Sequence, residues 1–215
     1  MTVLRAYSRI LALALLLAGG RDASAQAAAR AVPKAPAPAM GAKVLPAPYV
    51  ALPAGTEYQY SNFTNRVTRS RGWQTWFVDA RNRPGLHVGL FILDDPRQPS
   101  QFDASALGKL WPLVVGNRTS VTLHRPDGTA EVWDIAVSDT ATIRVPLGEV
   151  FTYHVRAAQK ASILKRGTPG YANLYEFWYA PAWGAVVRLS FAGAAGPAQG
   201  RTQTDQIVFI KRPAR

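Results

Sequence analysis

From Leu52 onward, the apolar residues of this chain recur at every second position. "GTEYQYSNF" puts Tyr58 and Tyr60 on one face of an extended segment. "AEVWDIAVS" aligns Trp133, Ile135 and Val137, with Asp134 pointing the other way. "GEVFTYHVRA" sets Phe151, Tyr153 and Val155 against Thr152, His154 and Arg156. "DQIVFIKR" alternates Gln206, Val208 and Ile210 with Ile207, Phe209 and Lys211. Side chains of a strand alternate between its two faces. This pattern, rich in aromatic and β-branched residues, therefore predicts half-buried strands.

Turn chemistry separates the strands. "RPG" (83–85), "RPDG" (125–128), "VPLG" (145–148) and "GTPG" (167–170) each combine Pro with Gly. In "RPDG", Pro126 presets the first turn dihedral and Asp-Gly tolerates positive φ, so it should join a strand ending near Leu123 to one starting near Ala130. "YEFWYAPAWGAVVRLSF" reads as two strands around a Pro181–Gly184 corner. Its first strand has rings on both faces, as expected of a central strand covered by a helix. Asp94-Asp95-Pro96 reads as a strand end followed by a turn.

One segment has a different period. In "PSQFDASALGKLWPLVVGN", Phe102, Ala106, Leu107 and Leu110 fall at helical spacing, with Ser100 placed as N-cap and Asp103 three residues on. Pro112 should stop the helix. The expected fold is mainly all-β: a curved antiparallel meander or partly open barrel, with one short helix near residues 101–110. There is no βαβ alternation, no nucleotide fingerprint and no internal repeat.

The N-terminal stretch has Arg5 and Arg9, an apolar run from Ile10 to Ala18, and the small-x-small triplet Ala23-Ser24-Ala25. These are the three regions of a secretory signal peptide over residues 1–25, cleaved near Ala25. The apolar run is too short to span a bilayer. No Cys follows it, so a lipoprotein is not expected, and the mature chain should be periplasmic or secreted. Residues 26–51 are Ala, Pro and basic, the composition of a disordered spacer. A single β-rich domain should then occupy residues 52–215.

With no cysteine, disulfides and thiolate metal sites are ruled out. The core must hold the domain together, and a hydrophobic content of 48% is sufficient for one. Lys plus Arg number 25 against 13 Asp plus Glu, a formal charge of +12. Such a field attracts anionic partners. The basic residues are scattered, however, and are densest in "TNRVTRSRGW" and "DARNRPG". No stripe or module of a nucleic-acid binder accompanies them, and nucleic acid is not an expected partner.

No constellation announces catalysis. His87, His124 and His154 are far apart in sequence, and neither HExxH, GxSxG nor a calcium loop is present. Neither metal nor cofactor is expected. Glu131, Asp134, Glu149 and Glu176 sit on predicted strands, where acids are ordinarily solvated. Four residues stand out as binding candidates. Arg188 lies within an apolar strand, and Glu176 across the hairpin could pair with it. Trp183 is at the hairpin corner, and His154 is on the polar face of its strand.

The order "GTEYQYSN", "LGKLWPLVVGN", "VPLGEVFTYHVR", "FWYAPAWGAVVRLSF" resembles the DUF3108-like group of exported bacterial β-domains of unknown function, from Leu52 to about Lys211. That group often has an acid inside the corner, where this chain has Pro181-Ala182-Trp183-Gly184. The resemblance implies a periplasmic curved antiparallel sheet wrapped on its helix, and brings no catalytic residues. The expected function is non-catalytic: binding an apolar or amphipathic envelope ligand, such as a lipid, or an envelope partner protein. The alternatives are charge-driven association with anionic surface polymer or headgroups, and a hydrolase whose catalytic residues have no recognisable motif.

Overall fold

The computed structural model describes residues 45–90, 92–160, 173–193 and 202–213. The expected signal peptide, most of the Ala/Pro spacer and the "GTPG" turn lie outside them. Twelve strands form one antiparallel sheet: β1 (Glu57–Tyr60), β2 (Thr64–Arg71), β3 (Gln74–Asp79), β4 (Pro84–Val88), β5 (Ile92–Asp94), β6 (Gln101–Phe102), β7 (Arg118–His124), β8 (Ala130–Val145), β9 (Gly148–Gln159), β10 (Asn173–Ala180), β11 (Ala185–Gly193) and β12 (Thr202–Lys211). Among the described residues there is one short helix, α1 (Ala104–Gly108).

The strand order is β5-β4-β3-β2-β1-β12-β11-β10-β9-β8-β7-β6. Two meanders, β1–β5 and β6–β12, are therefore joined along β1 and β12, which pair from Glu57↔Lys211 to Tyr60↔Ile207. β5 and β6 are the two ends of the sheet. Only residues 95–100 separate them in sequence, yet they do not pair, and the sheet stays open.

The predicted alternation is met by the burial. Tyr58, Tyr60, Trp133, Ile135, Val137, Tyr153 and Val155 are all buried. The core gathers Val121, Leu123, Ile135, Val155, Phe177 and Tyr179 with Leu107 and Leu110 from the helical region. Each such side chain contributes roughly 1.5–3 kcal/mol by leaving water.

"RPDG" turns as expected: the Gly128 amide donates to the Arg125 carbonyl at 2.9 Å and Arg125 to Thr129 at 2.7 Å. β10 and β11 turn at Pro181–Gly184, where Gly184 takes φ +57°. Asp95 accepts from the Arg97 amide at 2.8 Å, consistent with a turn after β5.

Four local expectations are corrected. Asp103, not Ser100, caps α1, accepting from the amides of Ser105 (2.8 Å) and Ala106 (3.2 Å). The "RPG" glycine is not in a turn. The chain reverses one step earlier, at Asp79–Arg83, and Gly85 lies in β4 beneath the Phe77 ring, where a Cβ would sit 2.2 Å from Phe77 Cζ. Residues 45–51 are not free linker: Ala47 is buried and forms a bridge with Leu113. Finally, among the described residues no helix covers β10. α1 packs beside β7, and the Glu176/Trp178 face of β10 is half-buried by neighbouring side chains.

Candidate functional site

A cleft of about 600 Å3 opens between the β2–β3 hairpin and β6, one end strand of the sheet. The β2–β3 hairpin forms one wall, with Arg69, Arg71, Trp73 and Trp76. β6 and the residue opening α1 form the other, with Gln101 and Phe102. A bulge in β2 sets the first wall. The register passes from Val67↔Phe77 to Arg69↔Trp76, leaving Thr68 unmatched, so Arg69 falls on the face of Trp76. Its guanidinium carbon stands 4.1 Å from the Trp76 ring centroid, a cation–π distance. Both Arg69 and Arg71 are exposed, and among the described residues neither forms an ion pair. Two rigid guanidinium forks beside apolar rings can hold a carboxylate or phosphate at one end of a ligand and its apolar part at the other.

Burial changes sides next to this wall. Phe77 pairs with Gly85 and Trp76 with Leu86, yet both Phe77 and Leu86 are buried. The β3–β4 hairpin therefore has a buried residue on each face. His87, on the Phe77 side with the rings edge-on at 4.6 Å, has its pKa lowered to about 4 by burial. It is neutral at ordinary pH and takes no part in the cleft.

Three of the four sequence candidates, His154, Glu176 and Arg188, come together around Trp178, but elsewhere. His154, Trp178 and Arg188 form a cross-strand ladder on the polar face of β9, β10 and β11. The His154 imidazole stacks on Trp178 at 4.6 Å and 5°, and the Arg188 guanidinium lies 5.4 Å from that ring. His154 Nδ1 is 3.0 Å from Ser138 Oγ and 3.3 Å from Asp139 Oδ2. Its Nε2 is 3.4 Å from Glu176 Oε1, close enough for an ion pair when charged but outside hydrogen-bond geometry.

The pairing of Glu176 with Arg188 does not form. Glu176 stands opposite Ser190 and meets Arg156 at 3.4 Å. Arg188 donates to the Arg144 carbonyl at 3.1 Å and, with the Gln206 amide turned to present its oxygen, to Gln206 at 2.9 and 3.0 Å. Arg188 is thus satisfied without a carboxylate. Trp183 is 6% exposed and its carbonyl accepts from Arg212, so its ring is not available at the surface.

Sequence reading missed the cleft residues themselves. "TNRVTRSRGW" stands out in the sequence only for its basic residues. Trp73 in the β2–β3 turn and Trp76 just after it are the available signal, but the opposite wall comes from β6, about 30 residues on, and no local pattern joins them.

No protein-family model matches the chain, so the DUF3108 likeness gains no support from one. No curated protein matches it either. Among solved structures, the hypothetical lipoprotein YmcC from Escherichia coli K12 overlaps 76% of this chain and 86% of its own, with TM-score 0.45 and 13% identity. A protein from Bacteroides fragilis NCTC 9343, described as exported with a YmcC-like fold, overlaps 77% of this chain and all of its own, with TM-score 0.42 and 13% identity. Such loose overlap says nothing of activity.

Proposed function

We propose that the chain is exported and is a non-catalytic binding module that holds an amphipathic anion in the cleft between the β2–β3 hairpin and β6. The observation that carries this reading is the pairing of Arg69 and Arg71, both without ion-pair partners among the described residues, with the rings of Trp73, Trp76 and Phe102. The rings take the apolar part of the ligand and the guanidinium groups its anionic head. Export rests on the leader-like N-terminus. It makes an envelope lipid or another amphipathic envelope component the natural ligand class.

Native mass spectrometry of the protein purified from its own envelope should show an anionic adduct at one per chain. In solution, n-decyl phosphate should bind saturably, and the double variant Arg69→Glu/Arg71→Glu should weaken it at least tenfold while leaving the fold intact, since both residues are exposed. Binding should persist in part at 1 M salt, where the Debye length is about 3 Å. A clean apo mass with no saturable binding overturns the proposal. So does binding that vanishes with salt and ignores the double substitution, because that is charge-driven association with an anionic surface.

A further inference from the structure

An aromatic cluster adjoins the cleft through Trp73, which belongs to both. The Tyr49 ring sits edge-on to Trp73 at 4.7 Å and to Trp111 at 5.1 Å. Trp73 and Trp111 are nearly parallel, 22° apart with centroids 6.3 Å apart. Trp111 meets Tyr179 at 5.5 Å. Three of these rings stand on the folded domain: at the β2–β3 turn, just beyond α1, and on β10. Tyr49 is different, because it rides on the segment 45–52 that leads into the domain.

That strap is held by buried Ala47, by a Tyr49–Thr75 side-chain hydrogen bond and by a few backbone contacts. Ala47 and Leu113 exchange two backbone hydrogen bonds, of 3.1 and 2.7 Å. The Leu45 carbonyl accepts from the Tyr153 hydroxyl, and the Leu52 carbonyl from Ser70 Oγ at 2.8 Å. Leu45 is 77% exposed and Val50 42%.

Two buried polar groups of the cluster have no hydrogen-bond partner: Trp111 Nε1 and the Tyr179 hydroxyl. Tyr179 is fully buried. Its polar surroundings include Tyr49 and the backbone of Val50, both on the strap. Burying a donor without an acceptor is costly, and native proteins do it rarely. Here two such groups belong to neighbouring rings, Trp111 and Tyr179, and Trp111 also meets Tyr49 of the strap.

We propose that Trp73, Trp111 and Tyr179 form a ring-binding subsite of the cleft, filled by Tyr49 here, which takes a planar ring carrying a hydrogen-bond acceptor when the strap lifts. The subsite rests on the cleft reading, since Trp73 connects the two. The incoming ring replaces Tyr49 against the tryptophans. Its acceptor engages Trp111 Nε1–H and the Tyr179 hydroxyl, while its anionic group stays with the arginines. The cleft's ligand is then an aryl or similarly flat-ringed anion, and the strap competes with it.

The chain has no cysteine, so one engineered disulfide can lock the strap. In Ala47→Cys/Leu113→Cys the two positions are directly paired across the bridge, within disulfide reach. The probe is 4-nitrophenyl phosphate, with phenyl phosphate lacking the distal acceptor. Oxidation should weaken 4-nitrophenyl phosphate binding at least tenfold, and reduction should restore it. In an otherwise unaltered chain, Trp111→Phe keeps a ring and removes the donor, and it should erase the preference for the nitro compound. Equal affinity in the oxidised and reduced states, or a preference that survives Trp111→Phe, overturns the subsite and leaves the cleft reading standing. If neither aryl phosphate binds in either state but n-decyl phosphate does, the subsite alone is overturned. If none of the three binds, the cleft reading fails and the subsite with it.

Discussion

At the level of single residues, alternation read faces well and partners poorly. It placed His154 on the polar face of its strand, where it is. It matched Glu176 with Arg188, which the register sets diagonally, Glu176 opposite Ser190 and Arg188 opposite Trp178, and which take other partners, Arg156 and the Arg144 carbonyl. Face follows from sequence parity, whereas partner depends on strand offset, which the β10–β11 bulge helps to set. His87 was noted only for its isolation, yet it has a measurable consequence. Its folded pKa, near 4, lies below the ordinary value of 6.5. Between those values the unfolded chain binds a proton that the folded chain refuses. Its stability contribution is thus complete above about pH 6.5, falls as the pH drops, and levels off near pH 4. Urea unfolding at pH 7 and pH 4.5 should differ by on the order of 2 kcal/mol more in the native chain than in His87→Phe, which has no proton to take up. Parallel pH profiles for the two proteins would show that His87 is not the group responsible.

Among the elements, those with local chemistry were legible. Turns built on Asp-Gly or Pro-x-x-Gly fell where expected, because the dihedral demand and the residues that meet it are adjacent in sequence. The helix was legible from its spacing, but its start was not. Ser100 and Asp103 both suit an N-cap, and the choice went to Asp103 because Gln101–Phe102 is drawn into the sheet against Leu123 and His124. The cap matters beyond its two hydrogen bonds, since α1 leads Leu107 and Leu110 into the core and adjoins the β6 wall of the cleft. Asp103→Ala should lower the melting temperature by roughly 2–5 °C, whereas Asp103→Asn should recover most of it, because Asn caps about as well. An equal loss in both variants would mean that the carboxylate charge, not the cap, stabilises this end.

On the scale of the whole molecule, the long-range joins were illegible, and they are what create the cleft. Period-two alternation identifies strands without naming their neighbours. Nothing in "GTEYQYSNF" says that Tyr58 will pair with Ile210. Nor does any local signal say that β5 and β6, six residues apart in sequence, will end the sheet unpaired. Once the order is known, a strong test follows. Among the described strands, β1–β12 is the only adjacent pair whose members are distant in sequence; the others are consecutive. The ends of that pair touch, since a Cβ on Gly55 would lie 3.6 Å from Pro213 Cβ. A chain permuted to begin at Pro96, with Pro213 joined to Leu45 by a flexible linker, would read β6–β12 then β1–β5, so that every strand pairs with its neighbour in sequence. Closing one long loop ahead of β1–β12 pairing would no longer be required, and folding should speed up by an order of magnitude or more. Because the cut falls at the unpaired seam, the denaturant m-value should be unchanged, and n-decyl phosphate should still bind. A permuted chain that folds no faster would show that β1 and β12 pair late, after the rate-limiting step. One that fails to fold would show that residues 95–100 do more than connect the two ends of the sheet.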